Sequence, residues 1–381
     1  MNTLALTALE TAYPLSDNKL AVLWFILIGV LWIGFFFLEG FDFGVGMLLP
    51  FLSKKDADRR VMVNTIGPHW DGNEVWLLTA GGATFAAFAG WYASLFSSLY
   101  LPLFLVLVGL ILRGVAFEFR GKQESPTWRR AWDWAACVGS FLPTLVFGVG
   151  FANFLKGVVL VASDVSYWEG HVIPVYSGFW SLFHPFCLVG GLLFVALFIT
   201  HGAIFLSLKT RGDIQAKAKG FASKSVLVTV VLMAAFVIWG NAIYGGTDFV
   251  PGKVGLLVTI AWVVGLLAVL ALVGAWFFSA KGRDGLAFLC TSVATVTMIL
   301  MVLLHMFPNL GFNSNALGGI SVDLTLVANS HTTLKLMTIF AAIMVPVVLA
   351  YQVWTYFVFR RRLSTENIVD DSAPVGAARA I

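Results

Sequence analysis

The chain of 381 residues is 59% hydrophobic and 12% charged, with 34 Phe, 14 Trp and 37 Gly. Soluble domains carry roughly 25% charged residues, so too little polar side chain is present to clothe a soluble core of this size. The net charge of +4 acquires meaning only when mapped onto loops, and no nucleic-acid partner is implied.

Apolar runs near the ~20 residues that a bilayer-spanning helix needs recur along the chain. Barrel strands would be about 10 residues long and would alternate in polarity. The expected fold class is therefore all-α, a polytopic membrane helical bundle in contact with membrane lipid. The first 19 residues lack the short apolar core and small-x-small site of a cleaved leader, so an uncleaved N-terminus is expected. Nine apolar segments follow, near 20–50, 74–96, 99–118, 132–155, 182–207, 225–245, 254–279, 286–307 and 335–359. The first is too long for a perpendicular span and is expected to tilt or to run on beyond the membrane.

Lys and Arg accumulate in cytoplasmic loops. Odd-numbered loops and the tail hold 20 of the 24, among them Lys54, Lys55, Arg59 and Arg60, then Arg120, Lys122, Arg129 and Arg130, then Lys209, Arg211 and Lys217. Nine transmembrane helices with the N-terminus outside and the C-terminus cytoplasmic fit this alternation. Residues 1–362 read as one integral membrane domain, and 363–381, with Asp370-Asp371-Ser372-Ala373-Pro374, as a disordered cytoplasmic tail.

Ionisable side chains inside spans are costly and become the default functional candidates. The first span contains Glu39-Gly40-Phe41-Asp42-Phe43-Gly44-Val45-Gly46-Met47. Glu39 and Asp42 are three apart and share a helix face, where two carboxyls in low dielectric suit proton exchange. The plainer alternative is a buried pair that ties helices together. Gly40, Gly44 and Gly46 read as close-packing residues rather than a phosphate loop, which would need a preceding strand.

Ahead of the second span comes Pro68-His69-Trp70-Asp71-Gly72-Asn73-Glu74-Val75-Trp76. Pro68 suits helix initiation, and Asp71 and Glu74 in a first turn complement the helix dipole. By the same topology, Asp71 and Glu74 gather with Glu39 and Asp42 on the cytoplasmic side, as the mouth of a proton path would. Arg113 ends the third span deeper than its basic loop and needs a partner, for which one of these acids is the natural choice. Snorkelling to the interface is the alternative.

Cys137, Cys187 and Cys290 are isolated and read as packing residues. Axial haem ligation would need two His, or His and Met, at matching depth. His184 and His201 stand about 25 Å apart along one helix. His69 lies inside, His171 in an outer loop, and His331 beyond the last span, which leaves His184 with His305 as the open pair. With no His-Glu-x-x-His cluster, no metal site is expected in this chain.

These motifs, continued by Trp128-Arg129, Trp132-Asp133, Met306-Phe307-Pro308-Asn309, Leu334-Lys335-Leu336-Met337-Thr338 and Tyr351-Gln352-Val353-Trp354, resemble in order subunit II of the cytochrome bd quinol oxidases. The resemblance implies a nine-helix subunit of a bacterial plasma-membrane complex that oxidises quinol and reduces O2 to water. It implies that haem b (two) and haem d reside in the partner, subunit I, and that subunit II supports their assembly. It assigns Asp42, Trp70, Asp71 and Arg113 to a proton route, with no catalytic residue in this subunit. Glu39 stands where some relatives have Asp, and His69 is not implied to be essential. A structural quinone and small accessory subunits are left open. Two other classes compete: a stand-alone membrane b-type cytochrome, against which the His spacing argues, and a secondary transporter, which would need paired helix interruptions.

Overall fold

A computed structural model describes residues 18–158, 160–168, 171–176, 179–244, 255–308, 310–311 and 324–367. Helix α1, Lys19–Leu52, has 34 residues, about 51 Å of helix against a hydrocarbon core of about 30 Å. The surplus predicted for the first run is thus realised as continuous helix. Asn18 starts it by accepting from the Ala21 amide at 3.3 Å, a normal cap for an orphan donor.

A short helix absent from the sequence reading, α2 (Asp56–Ile66), follows with Asp56 and Asp58 in its first turn. The second apolar run is broken into α3 (Trp70–Ala87) and α4 (Ala89–Ser98). At the break Phe88 leaves helical geometry, φ −137° and ψ 67°. The carbonyls of Ala87 and Ala86 accept from the backbone N–H of Asn329 at 2.8 Å and from its side-chain amide at 3.1 Å. In lipid such carbonyls must find a protein partner, and here a residue 243 positions away supplies it.

The remaining spans are single helices: α5 (Tyr100–Phe119), α6 (Pro126–Lys156), α7 (Pro185–Lys209), α8 (Asp213–Tyr244), α9 (Gly255–Ala280), α10 (Asp284–Met306) and, after the one-turn α11 (Leu324–Val327), α12 (His331–Val358). Among the described residues, eight helices are long and apolar enough to cross a membrane; α4 is too short with 10 residues, and the 18-residue α3 opens with the polar Asp71, Asn73 and Glu74. Helix α8 begins well before its apolar run, so its first turns form a polar extension. The α6–α7 connection carries an antiparallel hairpin, β1 (Leu160–Trp168) with β2 (His171–Tyr176), which the all-helical reading did not include.

Helix α1 is the axis of the bundle. Trp32, Phe35 and Phe36 meet Phe147 and Phe151 of α6 and Phe194 and Phe198 of α7, mostly edge to face at 4.9–6.1 Å. Such pairs favour fixed geometry beyond area burial. Towards the basic end the rings give way to backbone contact: a Cβ on Gly44 would lie 1.9 Å from the Phe198 carbonyl oxygen, and Gly202 of α7 meets Gly44 in return. Gly46 approaches Ser140 of α6 equally closely. The packing role read from the glycines is therefore seen directly, and it brings α1, α6 and α7 together beside Glu39 and Asp42.

Helix α12 lies outermost, with Leu334 buried and most of its apolar surface exposed. Beyond it, Leu363 bonds with Lys209 and Arg211 across a short parallel bridge at Thr210, and Thr365–Asn367 form a 3-10 turn. The start of the segment read as a disordered tail is therefore ordered. The rest of that tail, and the Asn309 in the Met306-Phe307-Pro308-Asn309 motif, lie outside the described residues.

Candidate functional site

Three helices converge on one guanidinium. Arg113 of α5 is fully buried and pairs with Glu39 of α1 and with Glu74 of α3, the latter at 2.9 Å. Its charge lies 4.6 Å from the centroid of Phe43 and within 6 Å of those of Trp70 and Phe117, so rings screen it from lipid and attract it electrostatically. The partner that Arg113 requires is thus two acids rather than one. Snorkelling does not occur.

Asp42, one helical turn beyond Glu39, is also fully buried. Its Oδ2 accepts from Asn73 Nδ2 at 2.6 Å, while Oδ1 and Glu39 Oε2 have no hydrogen-bond donor among the described residues. Glu39 and Glu74 therefore share one guanidinium with Asp42 one turn away, and such interacting carboxyls exchange protons as a group rather than singly. Trp70 contributes its ring to Arg113 and packs against Phe117 at 5.5 Å. Asp71 is placed apart: it is exposed on the first turn of α3 and has no hydrogen bond or ion pair among the described residues. It lies close enough to act electrostatically on Glu74.

Three participants were not singled out in the sequence. Asn73 is buried and joins Asp42 to α12, where Gln352 Nε2 and the Tyr356 hydroxyl both donate to Asn73 Oδ1, at 2.9 and 3.1 Å. His69 stacks on Tyr356 with centroids 4.2 Å apart and planes 5° from parallel. Burial, with Lys209 nearby, pushes the His69 imidazole down to about 4, so it is neutral at pH 7. Asn73 lay within a quoted motif, and Gln352 and Tyr356 stand at i and i+4 on one helix face; only their meeting partner was invisible.

A second ionic cluster braces the basic end. The fully buried Asp133 of α6 accepts from Arg59 Nη1 and Arg120 Nε, each at 2.6 Å. Asp56 bridges Arg120 and Arg129 at 2.5 and 2.6 Å. Burial opposes the Asp56 charge, but Arg120 and Arg129 more than offset it and hold its carboxyl below the usual range. The cluster joins α2, α6 and the turn after α5.

Several histidines are already engaged by protein groups. His201 is buried with Nδ1 at 2.7 Å from Thr291 Oγ1 and Nε2 at 3.4 Å from the Phe37 carbonyl oxygen; it also stacks on Phe288 at 4.7 Å. His305 directs Nδ1 to the Met301 carbonyl at 2.8 Å, and His184 Nδ1 accepts from the Phe186 amide that it caps. Among the described residues no group of three His, Cys, Asp or Glu could hold a metal ion. Cys137 and Cys187 are buried in the packing, the former donating to the Met47 carbonyl.

A family model described as "Cytochrome bd terminal oxidase subunit II" matches residues 20–359. The chain belongs to this family. It is 40% identical over 346 residues to "Cytochrome bd ubiquinol oxidase subunit 2" of Bacillus subtilis, covering 90% of this chain and 96% of the relative. It is 36% identical over 372 residues to "Cytochrome bd-I ubiquinol oxidase subunit 2" of Escherichia coli K12, covering 92% and 96%. Among solved structures, the bd oxidase from Geobacillus thermodenitrificans shares the fold, with a TM-score of 0.65 at 15% identity over 89% of this chain and 98% of that one. This subunit II is thus an integral, multi-pass component of a terminal oxidase in the bacterial membrane, working with subunit I, and the transporter and lone-cytochrome readings are set aside.

Proposed function

We propose that this subunit serves a quinol oxidase complex by scaffolding a haem-bearing subunit I and by carrying protons from the cytoplasm. Oxygen reduction to water takes up protons, and quinol supplies the electrons. Two b-type haems and one d-type haem would reside in subunit I, since His69, His184, His201 and His305 of this chain already engage protein groups. The lysine and arginine distribution supports nine crossings, with α3 and α4 jointly forming the second, the N-terminus outside and the C-terminus in the cytoplasm.

The observation that carries the proton role is the Glu39–Arg113–Glu74 cluster with Asp42 beside it. Asp71, exposed at the start of α3, is the entry; Glu74 is half-buried and reachable from it. Arg113 links Glu74 to the buried Glu39, and Asp42 lies one turn on. Arg113 holds the acids close enough to pass a proton, and the rings of Phe43, Trp70 and Phe117 exclude lipid and bulk water.

A structural quinone fits a different place. A mostly apolar cavity of about 680 Å³ lies among α3, α4, α5 and α6, lined by Trp32, Leu95, Phe96, Leu103 and Phe147. It is also lined by Trp91, whose buried Nε1 has no acceptor among the described residues, a donor suited to a quinone oxygen. Small accessory subunits would find room on exposed apolar surface such as that of α12.

The test of the proton role is Asp42→Asn and Asp71→Asn in assembled complexes of normal haem content. Each should slow oxygen-coupled quinol turnover about a hundredfold or more, the range for loss of one proton-transfer group. Unchanged turnover in both variants would sink the role, and loss of haem in both would make these residues structural.

A further inference from the structure

The Asn73 side chain has an unusual set of neighbours. Its Nδ2 faces Asp42 Oδ2 at 2.6 Å, and its Oδ1 accepts from Gln352 Nε2 at 2.9 Å. The Tyr356 hydroxyl lies almost equidistant from both ends of the amide, 3.0 Å from Nδ2 and 3.1 Å from Oδ1. Asn73 is fully buried, so water cannot make good an unmatched polar atom, and each such atom would be costly.

Every partner in this set can reverse. An amide presents two donors at one end and an acceptor at the other, and a hydroxyl both donates and accepts. With Asp42 ionised, the amide must donate to it, as observed. With Asp42 protonated, the same spacing is satisfied when both amides turn over: the carboxyl O–H donates to Asn73 Oδ1, Asn73 Nδ2 donates to Gln352 Oε1, and the Tyr356 hydroxyl changes role from donor to acceptor. Each amide exchanges its N and O by rotating about its terminal C–C bond, the backbones stay in place, and only the proton arriving on Asp42 changes the charge.

We propose that Asn73, Gln352 and Tyr356 form a reversible amide relay that keeps Asp42 hydrogen-bonded in both protonation states, so that helix α12 sets how readily Asp42 takes up and releases a proton. The proposal rests on the proton-carrying reading of the site and adds residues to it. Asn73 and its α12 partners are positioning residues; none of them carries the proton. This also accounts for the clasp on α12, a helix otherwise mostly exposed.

The charged and titratable groups around Asp42 are Glu39 on its own helix, Glu74 on α3, Arg113 on α5 and Tyr356 on α12. His69 stacks on the far side of Tyr356. Helix α7 meets this part of α1 through Phe198 and Gly202, and its His201 is engaged by Thr291. Changes at Gln352 can therefore act on Asp42 through Asn73 or through simple electrostatics, and the two make opposite forecasts.

The experiment uses the whole oxidase with haem content verified. Gln352→Lys offers donors only and Gln352→Glu, when ionised, acceptors only, so each locks the Asn73 amide in one polarity. The relay requires turnover to fall about tenfold in both, the size of one hydrogen bond to a charged group. Opposite effects of the two charges, or no effect of either, would overturn it. Should either variant lose haem, wild-type and Gln352→Leu complexes labelled with 15N in Asn and Gln side chains provide the second measurement. Redox-difference infrared spectra should show a carboxyl band, removed by Asp42→Asn, together with an isotope-sensitive amide change that Gln352→Leu removes. A carboxyl band without an amide partner refutes the relay alone, whereas absence of the carboxyl band refutes the relay and the proton role of Asp42 together.

Discussion

Replacing Arg113 by Met should expose how the buried charges divide their dependence on it. Arg113 and Glu39 have fully buried side chains, whereas the Glu74 side chain keeps 22% of its surface accessible. Removing one partner of a buried pair costs about 3–5 kcal/mol, and the lost contact with Phe43 at 4.6 Å adds about 1 kcal/mol. Set against the roughly 5–15 kcal/mol that holds a typical protein folded, a loss of about 5 kcal/mol should release haem from much of the complex. Most of that loss belongs to Glu39, which water cannot reach once Arg113 is gone. The double variant Arg113→Met with Glu39→Gln should therefore recover more than half of it, and Arg113→Met with Glu74→Gln much less, since Glu74 can be hydrated. Thermal inactivation and haem retention of the purified complex, compared as two double-mutant cycles, read the difference directly. Equal rescue by the two Gln variants, or an Arg113→Met complex within about 1 kcal/mol of wild type, would refute the burial argument.

Three further outcomes follow from the same geometry. Asp133→Ala leaves Arg59 and Arg120 without their shared acceptor and should cost about 3–5 kcal/mol, while Asp213→Ala, on a pair whose side chains are 57% and 35% exposed, should leave the same melts essentially unchanged. Gly44→Ala drives a Cβ into the Phe198 carbonyl and should prevent assembly, scored as haem per complex; Gly220→Ala, which meets nothing within 4 Å, should be neutral or slightly stabilising. His69 is held near 4 in the fold and lies near 6.5 when unfolded, so between those values the unfolded chain binds more protons. Stability should be full above about pH 6.5 and fall as pH drops towards 4. His69→Phe, which keeps a ring on Tyr356, should flatten that slope, and parallel melting curves against pH for both proteins would contradict the assignment.

Helix positions were legible in the sequence because each span carries its own apolar run, and a run of adequate length has few options in a bilayer. Phe88 shows the limit: nothing in Ala86-Ala87-Phe88-Ala89 breaks a helix by propensity, and the freed carbonyls depend on donation from Asn329 far along the chain. The polar extension of α8 was missed for the opposite reason, since Asp213 and Lys217 belong to a solvated turn with no apolar signal. In the site, Glu39, Asp42, Glu74 and Arg113 announced themselves as charges where charge is expensive. Asn73, Gln352 and Tyr356 did not, because neutral polar residues are common in membrane helices and only their convergence gives them a role. Asp71 was legible for its place in a motif, and the fold puts it at the surface rather than in the ionic cluster.

The break at Phe88 also bears on biosynthesis. A chain threaded into the membrane from its N-terminus presents α3 and α4 long before Asn329 has been made, so the carbonyls of Ala86 and Ala87 wait, unmatched, through the insertion of six further helices. Trp24 near the start of α1 waits likewise, since its indole N–H donates to the Leu334 carbonyl at 3.1 Å and to Thr338 Oγ1 at 3.0 Å. The final helix therefore closes both the oldest helix and the broken one. A ribosome that stops short of residue 329 would leave the Ala86 and Ala87 carbonyls and the Trp24 indole without the partners that the full chain supplies.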